Sequence, residues 1–209
     1  MTPVALSEVF AARQADGAAT GFVLSRLPDG PGPVLWIQDR MTRMECGQPY
    51  QPALGRALLR LDLSRPGDGL IAAEEGLQCA SLAAVVLEIW GDPPMLSFTA
   101  TKRLALRAEA SGVPCWLIRH GGRADLSAAR DRWRVTSLPS APHADDGRAP
   151  GAARWAVELF RSRDKAPGHW VVQHEGGWQR AADRVDLPAR IRNGTLAAPS
   201  SAAVRQLAR

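Results

Sequence analysis

Ala83-Ala84-Val85-Val86-Leu87-Glu88-Ile89-Trp90 is the stretch on which the fold turns. Seven of its eight side chains are apolar, so both faces must be buried, and valine and isoleucine suit an extended chain. A strand of this kind belongs in the middle of a parallel sheet, with helices packed on either side. Gly91-Asp92-Pro93-Pro94 then turns the chain, and a helix is expected from about Ser97 to Ala110, stopped by Ser111-Gly112. Cys115-Trp116-Leu117-Ile118 reads as the next buried strand.

The same alternation runs upstream. Val34-Leu35-Trp36-Ile37 is an apolar run of strand length that ends in Gln38-Asp39-Arg40. A polar loop is expected next, then a helix through Ala53 to Leu59 and a strand-like Leu61-Asp62-Leu63. Pro66-Gly67-Asp68 opens a helix that reaches about Cys79. Nearer the start, the short apolar run Val4 to Phe10 meets a small-residue turn. Ala18 to Leu27 follows as a helix, stopped by Pro28-Asp29-Gly30-Pro31-Gly32-Pro33. Strand and helix alternating through short Gly/Pro connections make a parallel α/β sheet.

After residue 120 the pattern changes. Arg132 to Leu138, Trp155 to Arg161 and Trp170 to Gln173 alternate apolar and polar residues, which suits antiparallel strands exposed on one face. Pro139 to Gly151 reads as a mobile loop between them. From Leu187 onward little can be buried, so residues 1–186 are expected to form the domain and residues 187–209 a tail.

Composition narrows the function. The 209 residues are 45% apolar and 22% charged, which excludes a disordered or collagen-like chain. Residues 1–118 carry 10 cations and 12 carboxylates, whereas residues 119–209 carry 16 and 9. The C-terminal part therefore holds the positive charge, which points to nucleic acid or an acidic partner there. No uncharged apolar stretch is long enough to cross a bilayer, and MTPVALSEVF lacks the basic segment of a secretion signal. Cys46, Cys79 and Cys115 are spaced for neither disulfides nor zinc and suit a reducing cytoplasm. The four histidines form no metal pair at helical spacing, so neither metal nor cofactor is expected.

The stretches VLWIQDRMTRMECGQPY (34–50), LRLDLSRPGDGLIAAEEGL (59–77), AAVVLEIWGD (83–92), RLALRAEASGVPCWLIRHGG (103–122) and VELFRSRDKAPG (157–168) carry a resemblance. The chain resembles the RecA-type ATPase core, and specifically the ImuA family of RecA-like accessory proteins in bacterial inducible mutagenesis. The resemblance implies a RecA-like core with an antiparallel C-terminal extension. It also implies partners: a catalytically degenerate Y-family polymerase homologue (ImuB), an error-prone replicative-type polymerase, and RecA as a further candidate.

Set against a working RecA-type ATPase, the nucleotide site is depleted. A phosphate-binding loop reads G-x-x-x-x-G-K-[ST], because glycine backbone N–H groups cradle phosphate, lysine neutralises it and the hydroxyl binds Mg²⁺. The loop in the corresponding place runs from Ala12 to Thr20. It retains Gly17, but has Ala18 at the lysine position and Ala19 at the hydroxyl position, with Thr20 next to it and Asp16 adding negative charge. The resemblance further places Arg40, beside Asp39, where the second strand should end in a water-orienting carboxylate. Glu88 matches the metal-assisting acid, and Arg119 with His120 replaces a phosphate-sensing Asn-Gln pair. Hydrolysis would lose most of its electrostatic machinery.

The two DNA-contact loops of RecA are also short here, at Gly91 to Pro94 and about Gly121 to Asp125. Arginine is nonetheless dense nearby, at Arg119, Arg123, Arg132, Arg134, Arg161, Arg163 and Lys165. Alternation puts Arg132 and Arg134 on one side of a strand, and Arg161 and Arg163 likewise. Such ladders suit partner docking, phosphate neutralisation or a solvated face. Trp36, Trp90 and Trp116 are expected in the core, while Trp133, Trp155, Trp170 and Trp178 lie on half-exposed strands, where some could anchor an interface beside arginine but core burial is the expectation for any single one. The expected function is a non-enzymatic adaptor in error-prone translesion synthesis, with a nucleotide-dependent, DNA-binding recombinase-like ATPase as the alternative.

Overall fold

The computed structural model describes residues 5–174. The expected tail from Leu187, the domain boundary at residue 186 and Trp178 lie outside the described residues.

Eight strands form one sheet in the order β3-β2-β4-β5-β1-β6-β7-β8. They are β1 (Leu6–Ala11), β2 (Val34–Asp39), β3 (Leu58–Leu63), β4 (Ala84–Trp90), β5 (Cys115–His120), β6 (Asp131–Leu138), β7 (Ala153–Ser162) and β8 (Gly168–His174). The helices are α1 (Ala18–Leu24), α2 (Arg40–Cys46), α3 (Pro66–Gly76) and α4 (Phe98–Ser111). All pairings from β3 through to β6 are parallel, and β6–β7 and β7–β8 are antiparallel. The mostly parallel α/β fold expected from the sequence is the fold observed.

Two cores flank the sheet. On one face α1 packs Phe22 and Val23 against Val9, Trp36, Val86, Ile118, Trp133 and Trp155. On the other, α3 and α4 pack Leu70, Leu77 and Leu104 against Ile37, Leu87 and Leu117. Every residue of β4 before Trp90 is buried, as its two-sided apolar pattern requires. Each large aliphatic side chain buried this way contributes about 1.5–3 kcal/mol. The length of α4 follows from its ends: Ser97 Oγ accepts the Ala100 N–H at 3.2 Å, and Gly112, at φ +74°, ends the helix in a left-handed turn.

Three local expectations are corrected. The helix expected over Ala53 to Leu59 is a single 3-10 turn, Gln51–Ala53, followed by β3. Gly55, at φ +62°, breaks any longer helix, and Leu59, Leu61 and Leu63 recur at the strand period of two. The polar loop expected after Asp39 is α2, because Asp39 accepts the Thr42 N–H at 2.7 Å and so caps a helix. Strand β6 pairs parallel with β1 on one side and antiparallel with β7 on the other, so it joins the two halves of the sheet. The expected loop between β6 and β7 is closed by a bridge between Pro142 and Pro150 and by the Gly151 N–H donating to Ala141 O at 2.8 Å.

Candidate functional site

In open α/β sheets ligands bind beyond the carboxyl ends of the strands, where the strand order reverses. Here that place lies above β1, β4 and β5, and the Ala12–Thr20 loop spans it. The loop leaves β1 with the Ala12 N–H bound to Val135 O at 3.0 Å, and holds Ala15 at φ +55°. Asp16 dominates it. Its carboxylate accepts the Ala18 N–H at 2.9 Å and the Ser137 N–H at 3.0 Å, and also binds the Ser137 hydroxyl. Burial pushes the Asp16 pKa up, but these bonds and Arg13 outweigh it, leaving the acid below its ordinary range. An internal anion thus takes the backbone donor of Ala18, the residue expected at the lysine position. Gly17 precedes α1 with open space where a Cβ would be.

Glu88, near the end of β4, is fully buried and gathers three neighbours. Thr20 Oγ1 donates to Glu88 Oε1 at 2.8 Å, and Gln38 Nε2 donates to Oε2 and to Gly47 O, the latter at 2.9 Å. His120 Nε2 lies 3.8 Å from Glu88 Oε1, and its ring stacks on Trp90 with centroids 6.3 Å apart. Burial opposes a charge on His120, yet Cys46 and the Glu88 carboxylate outweigh it and raise the pKa to about 9. A protonated imidazole at this distance would supply a countercharge for Glu88. Asp39 is equally engaged, accepting the Thr42 N–H at 2.7 Å and the Trp90 N–H at 3.1 Å, while Arg40 lies exposed on the first turn of α2.

These residues do not fit a magnesium nucleotide. The loop has no lysine, its Ala18 amide is held by Asp16, and the acid that would assist a metal is already hydrogen-bonded to Thr20 and Gln38, with His120 3.8 Å away. Among the described residues no group of three His, Cys, Asp or Glu side chains could hold a metal ion. No helix among them is long and apolar enough to cross a membrane.

No family model matches the chain. Protein ImuA of Caulobacter vibrioides is 35% identical over 155 residues, in each of two strains. The match covers 68% of this chain and 60% of that protein, so the chain spans less than two thirds of its relative. The chain belongs to the ImuA family.

In this ImuA-family chain the arginines are arranged otherwise than the sequence suggests. Arg119 and Arg132 are not exposed. Both converge on Glu8, a fully buried carboxylate on β1, with Arg119 Nη1 to Oε1 at 3.0 Å and Arg132 Nε to Oε2 at 2.7 Å. Register causes this: Glu8 stands directly opposite Arg132 on β6 and Leu117 on β5, which puts Arg119 one residue pair further along the same face. Arg132 also lies over the rings of Phe10 (5.3 Å) and Phe160 (5.2 Å). Arg134 lies over Phe160 at 5.0 Å and pairs with Glu158. Arg119 and Arg123 share Asp92, and Lys165 pairs with Asp131.

The two matching ladders therefore do not form. Arg161 is exposed on β7, opposite the buried Arg132, whereas Arg163 lies past the end of β7, with its N–H on Arg130 O at 3.1 Å. Sequence reading missed Glu8, Gln38 and His120 as organising residues. For Glu8 a signal was present, a lone carboxylate inside a strand otherwise apolar enough to be buried, whereas Gln38 and His120 stand beside Asp39 and Arg119 at polar strand ends, and the resemblance assigned His120 another role.

Proposed function

We propose that the chain is a non-catalytic, RecA-like adaptor of cytoplasmic error-prone translesion DNA synthesis. It would bridge a Y-family polymerase homologue and an error-prone replicative-type polymerase, with RecA a further candidate partner. The observation that carries this reading is the internal bonding of the nucleotide face. Glu88 is hydrogen-bonded to Thr20 and Gln38, with His120 3.8 Å away, and Asp16 takes the Ala18 N–H. A face closed by its own side chains favours a scaffold role over phosphoryl transfer, which depends on lysine, metal and ordered water.

The test pairs two measurements on the full chain. Calorimetry with ATP and Mg²⁺ should show no binding in the micromolar range, while the purified polymerase homologue should be retained by the immobilised chain. Micromolar ATP binding, or turnover lost in a Gly17→Asp variant, would establish the ATPase instead. Failure to retain the homologue would remove the adaptor.

A further inference from the structure

At the opposite end of the strands from Glu88, a cavity of about 840 Å³ opens on the α1 face. That volume is within the roughly 300–1,000 Å³ of pockets that accept small ligands or the anchoring side chains of a peptide. Three indoles line it, Trp116, Trp133 and Trp170, together with Arg26, Asp131 and Lys165. Trp133 and Trp170 lie with ring centroids 6.1 Å apart. Neither the sequence resemblance nor the nucleotide face accounts for this pocket.

Arg26, just beyond α1, lies over the rings of Phe22 (5.3 Å) and Trp133 (5.9 Å). Among the described residues no carboxylate is within ion-pair distance of it and its side chain makes no hydrogen bond. Burial pulls its pKa below the ordinary arginine value, with Asp131 acting in the opposite sense from beyond pairing distance. The other cations of the wall are already paired, Lys165 with Asp131 and Arg130 with Asp164 and Glu109. A second group is also unmatched: Trp133 is only 6% exposed, and its buried Nε1 has no hydrogen-bond partner among the described residues. A preorganised guanidinium set among aromatic faces calls for an acceptor anion attached to an apolar body.

We infer that this cavity is a docking pocket for an acidic segment of a partner protein, in which one carboxylate neighbours a large aromatic or aliphatic side chain. The carboxylate would pair with Arg26 and the apolar side chain would enter between the indoles. Charge complementarity favours a peptide over nucleic acid. One unpaired cation matches one carboxylate, whereas a polyphosphate backbone calls for a row of free cations, and Lys165 and Arg130 on this wall are already paired. This assignment rests on the adaptor reading, since it names where an adaptor would hold a partner.

The test uses an end-blocked, ten-residue peptide alternating glutamate with leucine and phenylalanine, read by quenching of tryptophan fluorescence in the full chain. Arg26→Gln should weaken binding roughly tenfold or more, and so should a peptide with glutamine in place of glutamate. Arg26→Lys should recover part of the loss, and circular dichroism should show that each variant is folded. Trp170→Ala, at a half-buried position, checks the aromatic wall without relying on Arg26. Unchanged peptide affinity in both Arg26→Gln and Trp170→Ala would overturn the pocket. Tighter binding of a fifteen-nucleotide oligothymidylate that is lost in the same variants would replace the peptide by nucleic acid. The two readings fail separately: a peptide that binds through Arg26 while the polymerase homologue is not retained removes the adaptor and keeps the pocket. Retention unaffected by folded Arg26→Gln, with no peptide binding, removes the pocket and keeps the adaptor.

Discussion

Thr20 gives its hydroxyl to the Glu88 carboxylate at 2.8 Å, tying helix α1 to the end of the central strand. The resemblance sets the metal-binding hydroxyl of a phosphate-binding loop one residue earlier, at Ala19; here Thr20 meets the acid directly, and His120 on the neighbouring strand lies 3.8 Å from the same carboxylate. The polar ends of three strands are thereby bound into one internal network.

That network makes stability depend on pH in a definite direction. The folded pKa of His120, about 9, is above the 6.5 of an ordinary histidine, so its contribution is complete below the lower value. It is lost as pH rises through about 9, and the full effect is on the order of 3 kcal/mol. Melting temperature should therefore fall between neutral pH and about pH 9.5. Glu88→Gln should lower stability at pH 7 and flatten that slope. An unchanged slope would show that the imidazole does not pair with Glu88.

Glu8 holds two guanidiniums at a buried site. Glu8→Gln should destabilise the chain by about 3–5 kcal/mol, because Arg119 and Arg132 would then be buried without their shared carboxylate. Urea denaturation measures this. A loss under 1 kcal/mol would mean that the two arginines find other partners.

Arg161 and Arg163 are exposed, so reversing their charge separates docking from folding. Arg161→Glu with Arg163→Glu should change stability by no more than about 0.5 kcal/mol. If this surface steers assembly, the same variant should associate more slowly with the polymerase homologue at low salt, and the difference should shrink as salt is added. Stopped-flow association at two salt concentrations is the measurement. Reversal at Arg132 is unsuitable, because it would set a second carboxylate against Glu8.

The cysteines should differ sharply in reactivity. Cys79 is exposed, whereas Cys115 is buried with its thiol pushed up to about 12 by desolvation. Iodoacetamide at pH 8 should modify Cys79 within the folded chain and reach Cys115 only after denaturant is added, as mapped by peptide mass spectrometry. Early modification of Cys115 would show that β5 opens readily.

The alternation of β4, α4 and β5 was legible in the order of residues, because burial on two faces leaves a nearly continuous apolar run and Ser97 and Gly112 mark the helix ends. That residue 18 is alanine and not lysine is a matter of residue identity alone. Helix α2 and strand β3 were not legible in that order, because a cap at Asp39 and a period-two leucine pattern compete locally with loop and helix signals, and neighbouring strands decide between them. Exposure of the arginines lay further out of reach. Arg132 is buried because parallel pairing of β1 with β6 sets Glu8 beside it, over a separation of more than a hundred residues. Periodicity reports which side of a strand a residue faces. Whether that side meets water, a carboxylate or an aromatic ring depends on which distant strand becomes its neighbour, and only the tertiary structure decides that.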